Sequence, residues 1–117
     1  RGLVQTGARA LIAGCSVAAE SNDVVVRALG PSLRALGVDN ALADPVVTLY
    51  DSNANVIAAN DNWKDSQQNE VESTGLQPPD DLDAALVVRL AQGNYTAIVT
   101  GKNGSAGIGL VEIYAVP

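Results

Sequence analysis

Residues Ala84 to Val116 read AALVVRLAQGNYTAIVTGKNGSAGIGLVEIYAV, and this stretch decides the fold. Three runs rich in Val, Ile, Leu and Ala (Ala84–Leu90, Asn94–Thr100 and Ile108–Val116) are cut by Ala91-Gln92-Gly93 and by the segment Gly101–Gly107. β-branched side chains are stiff at the first torsion and suit a pleated surface. Short runs of them bounded by Gly and Asn clusters predict antiparallel strands. Asn103-Gly104 is a strong hairpin signal, because both positions tolerate the left-handed backbone a tight turn needs.

The same punctuation continues upstream. Gly2–Thr6 predicts a first strand ending at Gly7, and Ala8–Ala13 a second ending at Gly14. Cys15–Ala19 predicts a short strand before a turn at Glu20–Asp23, and Val24–Leu29 (VVVRAL) a strongly β-branched one. Gly30-Pro31 breaks the chain, and Ser32–Gly37 suits one helical turn with Ser32 as a weak cap. Val46–Asp51 and Asn55–Asn60 form the arms of a predicted hairpin with Val47, Leu49, Ile57 and Ala59 on its core face. Asp61–Pro79 is polar and suits a short helix or a long surface loop. The expectation is an all-β, antiparallel β-sandwich of jelly-roll type with eight or nine strands, occupying residues 1–117 as one domain without internal repeats.

Composition narrows the functions available. Of 117 residues, 47% are apolar, yet there is no Phe, no Met and one Trp, so the core must be built from Val, Leu, Ile and Ala. Thirteen acidic against seven scattered basic residues give a net charge of −6, which argues against nucleic acid. With no His and the single Cys15, a zinc or copper site and a Ser-His or Cys-His nucleophile are excluded. Cys15 lies in an apolar run and reads as a buried, inert thiol. No apolar run approaches the length of a membrane span, and no signal peptide is visible. The chain starts at Arg1, which suits a mature form or a piece of a longer protein.

Leu49–Trp63 (LYDSNANVIAANDNW) packs two Asp and four Asn into fifteen residues. Its Asp51-Ser52-Asn53-Ala54-Asn55 opens like an EF-hand loop. The match fails at the sixth position, where Val56 replaces Gly, and at the twelfth, where Asn62 replaces Glu. Two readings remain. Asp51, Asn53, Asn60 and Asp61 are candidate calcium ligands, with Asn62 and Trp63 as a candidate binding surface for a sugar. Alternatively these side chains bond their own backbone in turns, which is the commoner use of such residues and the favoured one. The acidic patch Pro78–Asp83 likewise reads as a solvated turn rather than as further calcium ligands for Asp61 or Asp65.

Little enzymatic chemistry survives. Gly104–Gly107 lacks the Lys and helix of a phosphate loop, and Gly107-Ile108-Gly109 opens a strand rather than a helix. Thirteen acids give accidental carboxylate pairs, a weak basis for glycoside hydrolysis. Lys64 and Lys102 look too exposed for an isopeptide bond. Arg27 interrupts an apolar strand, and a half-buried Arg ordinarily pairs with an acid such as Asp44 or anchors a loop.

RGLVQTG, VVVRALGPSL, LADPVVTLYDSNANVIAANDNW, LAQGNYTAIVTGKNG and GIGLVEIYAV, in that order, resemble a repeat domain of large secreted or surface proteins of bacteria. The second half is also similar to bacterial pre-peptidase C-terminal domains. That resemblance implies a β-sandwich carried by secreted enzymes, in some cases binding calcium or extracellular polymers. Cys15, where a bulky apolar residue is expected, and Asn53–Asn55, in place of a Gly-bearing turn, depart from the pattern.

The resulting expectation is a non-catalytic module, secreted or on a bacterial surface, that contacts other copies of itself or neighbouring domains. Sheet edges accept added strands, so the apolar N-terminal segment with Leu3, Val4, Leu11 and Ile12 is a candidate donor for assembly. The alternative is a calcium-dependent module binding extracellular polysaccharide or a collagen-like polymer.

Overall fold

The computed structural model describes residues 2–4 and 10–116, and only the backbone of 2–4, 10 and 19–22. Its strands are β1 (Gly2–Val4), β2 (Ala10–Leu29), β3 (Pro45–Asp51), β4 (Val56–Asn60), β5 (Ala84–Gly101) and β6 (Gly109–Val116), with one helix, α1 (Gln68–Thr74). Short 3-10 turns cover Pro31–Leu36 and Lys102–Gly104. The predicted turn at Gly7 lies outside the described residues.

Two strands are far longer than the sequence punctuation implied. β2 has 20 residues and β5 has 18. They pair antiparallel from Ala10↔Thr100 through to Ala28↔Ala84, with a register shift between Val17 and Ser21. Glu20–Asp23 and Ala91-Gln92-Gly93 are therefore not chain reversals. They form a bulge, at which both strands bend together. Six strands replace the eight or nine expected because three predicted segments merge into β2 and two into β5.

The bend makes the sandwich. β6 pairs only with the second half of β2, from Asp23↔Val116 to Leu29↔Leu110, and β1 pairs with β6. β3 pairs only with the second half of β5, from Pro45↔Gly101 to Asp51↔Tyr95, and β4 pairs with β3. The continuous order β1-β6-β2-β5-β3-β4 thus folds over into a first layer (β1, β6, second half of β2, first half of β5) and a second (first half of β2, second half of β5, β3, β4). One core lies between them, joining Val24, Val26, Leu86 and Val111 of the first layer to Leu11, Val47, Leu49 and Val99 of the second. As composition required, its buried residues are Val, Leu and Ala.

Three further expectations are corrected. Asn103 (φ 59°) and Gly104 (φ 78°) take the left-handed backbone as predicted. They join β5 to β6, however, which pair with different parts of the ladder rather than with each other. In the β3–β4 hairpin, a bulge between Leu49 and Tyr50 shifts the alternation of β4. Ala58 and Asn60 consequently face inward, while Ile57 is 40% exposed and Ala59 is exposed. Finally, the segment expected to be donated to a neighbour is used at home: Leu3 lies opposite Leu110 of β6, and Leu11 is buried in the core. Of the two assembly residues whose side chains are described, Leu11 and Ile12, it is Ile12 that lies at the surface, at 62% exposure.

Candidate functional site

The hairpin tip is a self-contained hydrogen-bonding unit. Asp51 Oδ1 accepts from the backbone N–H of Asn53 (2.8 Å) and Asn55 (2.9 Å), and its Oδ2 accepts from Asn55 Nδ2 (3.1 Å). These bonds hold the Asp51 carboxyl below the usual carboxylate range. The geometry lets Ala54 adopt φ 64° without glycine. Asn60 and Asp61 lie at the other end of β4, about 13 Å away at roughly 3.3 Å per residue. The four candidate calcium residues are therefore not brought together. Among the described residues no group of three or more His, Cys, Asp or Glu has the geometry to hold a metal.

The Asn60–Trp63 loop turns inward. Asn60 is 7% exposed, and its Oδ1 accepts from the Ala85 N–H at 3.0 Å. Gln67 continues the pattern two residues along β5, accepting from Val87 N–H (3.0 Å) and donating to Val87 C=O (2.9 Å). Two side-chain amides thus imitate a missing neighbour strand and close the first-layer edge of β5. Trp63 is 3% exposed and packs with Val71 of α1, Ala85 and Val87, its Nε1–H donating to Asp80 C=O at 3.1 Å. It offers no aromatic platform, which corrects the binding role expected for it. The part-buried Asn62 donates from Nδ2 to Asp65 at 3.4 Å.

Asp61 meets charges the sequence did not connect. Lys102 Nζ lies 2.6 Å from Asp61 Oδ2, and the Lys102 N–H donates to Asp44 C=O at 2.8 Å. The Asp44 and Asp61 carboxyl groups are close enough to act on each other electrostatically. Desolvation first, and Asp61 second, push the Asp44 carboxyl above its usual range, while Lys102 pulls it back. Asp44 Oδ1, Asp61 Oδ1 and Asn62 Oδ1 are buried without a hydrogen-bond partner.

Three residues that sequence reasoning assigned otherwise, or passed over, organise the first layer. Asp83 is fully buried, accepting from Gly30 N–H at 2.9 Å and Asp80 N–H at 3.2 Å, so it is a pin and not part of a solvated patch. Burial raises its carboxyl pKa against the pull of these bonds. The Gly30 it holds has no room for a side chain, because a Cβ there would strike the Leu42 carbonyl. Arg27 pairs with Glu112, not Asp44, and also donates to Leu76 C=O at 3.2 Å. Its guanidinium lies 5.4 Å from the Tyr114 ring, and the Tyr114 hydroxyl donates to Glu112 at 2.8 Å. An acid two residues before the chain's last Tyr signalled nothing by itself. Cys15 is half-buried, and burial raises its thiol pKa, in keeping with an inert cysteine.

The outer face of the second layer carries none of this. Its rows run Ile12, Ile98, Thr48, Ala59 and Gly14, Thr96, Tyr50, Val56 across the four strands. No residue in the segments 10–18, 45–50, 56–60 or 93–100 is charged.

No family model and no curated protein matches the chain. Among solved structures, it is similar to the pre-peptidase C-terminal domain of a collagenase from Bacillus anthracis. The two share 12% identity and a TM-score of 0.58, over 97% of this chain and 84% of that one. The likeness is one of fold, a pre-peptidase-C-terminal-like β-sandwich.

Proposed function

We propose that the chain is a non-catalytic, extracellular structural module of bacterial origin. It works through its surfaces, as a self-assembling subunit of a surface polymer or as a repeat of a large surface protein. The observation that carries this reading is how the polar side chains are used. Asp51 closes a turn, Asn60 and Gln67 close a sheet edge, and Asp83 pins a loop. Arg27 and Glu112 neutralise each other inside the first layer. Side chains that chemistry would need are committed to scaffolding, which suits a part that bears contacts. The fold likeness to a domain of a collagenase supports an extracellular setting.

Light scattering over a concentration series tests assembly. The expected result is a mass that grows with concentration above the 12.0 kDa of the chain. A constant monomer mass would remove self-assembly and leave only the repeat of a longer chain.

A second reading, a calcium-dependent polymer-binding module, rests on the unpartnered oxygens of Asp44, Asp61 and Asn62. Its test is thermal unfolding with calcium and with a chelator. A melting temperature that calcium raises, and that Asp61→Asn makes insensitive to calcium, supports it; identical curves overturn it.

A further inference from the structure

We infer that the uncharged outer face of the second layer is where a second copy of this chain docks, face against face. The inference rests on the proposed self-assembly and names its surface.

The argument begins with charge. Each copy carries a net charge of −6, so two copies repel unless they meet where the charge is missing. The outer faces of the two layers differ in this respect. On the first layer, α1 and Trp63 cover Ala85 and Val87, and the Arg27–Glu112 and Arg89–Asp23 pairs add charge to the same face. On the second, Ile12, Thr48, Tyr50, Val56, Thr96 and Ile98 lie side by side with no charge among them. Ile12 and Val56 stand 62% and 61% exposed. Among the described residues, charges resume at the ends of the strands, with Asp51 at one end of β3 and Asp44, Asp61 and Lys102 at the other. An uncharged centre between charged ends matches the depletion of charge at the core of protein interfaces.

Area sets the strength. Four strands about 4.8 Å apart and roughly 20 Å long present about 400 Å² in projection. Stable complexes bury about 800 Å² per partner. A face-to-face pair is therefore weak and concentration-dependent, as suits a repeated unit whose neighbours add to each contact. Because the unpaired charges lie outside the contact, salt tightens the pair by screening the mutual repulsion.

The test is sedimentation equilibrium of the full chain up to about 1 mM, at low salt and near 0.15 M salt, with three variants. Ile12→Glu and Thr48→Glu each put a like charge on both copies at the contact. Ala35→Glu changes net charge equally on an exposed turn away from the face. The expected outcome is a wild-type dimer that tightens with salt and persists in Ala35→Glu. In the two face variants it weakens by about 100-fold, the order expected when like charges are brought together. Near-identical circular dichroism and urea midpoints exclude misfolding as the cause. A wild type that associates while the face variants associate equally well would overturn this face and leave the assembly reading standing. A wild type that stays monomeric throughout would overturn both.

Discussion

The two layers share one core and one pair of long strands, yet they treat their outer faces in opposite ways. The first layer is roofed. α1 and Trp63 sit on Ala85 and Val87, a buried Arg27–Glu112 pair lies beside them, and two amides seal the β5 edge. The second layer is bare: its outer face is uncharged, and the β4 edge carries the exposed Val56 and Ile57. On the first layer, Asn60, Gln67 and Asp83 each satisfy a backbone group, and Arg27 and Glu112 satisfy each other. On the second layer, Ile12 and Val56 stand 62% and 61% exposed.

The contrast can be broken from the roofed side with the largest effect. Trp63→Ala should destabilise the fold by about 3–5 kcal/mol, the usual cost of deleting a buried indole, read as a shift in the urea midpoint. Arg27→Ala should cost about 3 kcal/mol, because Glu112, 4% exposed at its side chain, loses its cation. Equivalent changes on the bare face, such as Thr48→Ala, should stay within about 0.5 kcal/mol.

The edge gives a sharper test. Gln67→Leu removes both hydrogen bonds to Val87. It should cost about 1–3 kcal/mol and also raise self-association, since it opens an edge the native chain keeps closed. Denaturation and light scattering on the same sample separate the two effects.

The smallest effects are electrostatic and have opposite signs at the two ends of β3. Asp51 has a depressed carboxyl pKa, so its contribution is present above the unfolded value of 3.8 and is lost as pH falls through the folded value. Asp51→Ala should lower the melting temperature at pH 7 and cease to matter in acid. Asp44 has a raised pKa, so the folded state favours its protonated form. Its favourable contribution is present below 3.8 and is lost as pH rises through the folded value. Asp44→Asn should therefore be neutral or stabilising at pH 7. Melting curves of both variants from pH 3 to pH 7 check the two signs against each other.

Parts of this were legible in the residues. The β3–β4 hairpin, with Asp51 bonding its own backbone, was readable because the interacting groups are at most four residues apart. Other parts were not. Gly93 and Glu20–Asp23 carry the same residue types whether a strand turns back or only bends, and a partner strand about seventy positions away makes the choice. Trp63 looked like a binding residue because sequence shows an aromatic beside Asn and Asp but not the helix that buries it.

Local patterns along the chain specify an all-β protein with a Val, Leu and Ala core, a hairpin over 45–60, and an acidic composition poor in reactive groups. These follow from side-chain branching, alternation and turn chemistry, which act over a few residues. The tertiary structure alone decided that β2 and β5 run unbroken through both layers. It decided that Asp83 holds Gly30 across 53 positions and Glu112 meets Arg27 across 85. It also decided that one outer face is roofed while the other is open. The reason is that burial and pairing depend on which distant segments share space, and the same short stretch fits several partners until the whole chain has packed.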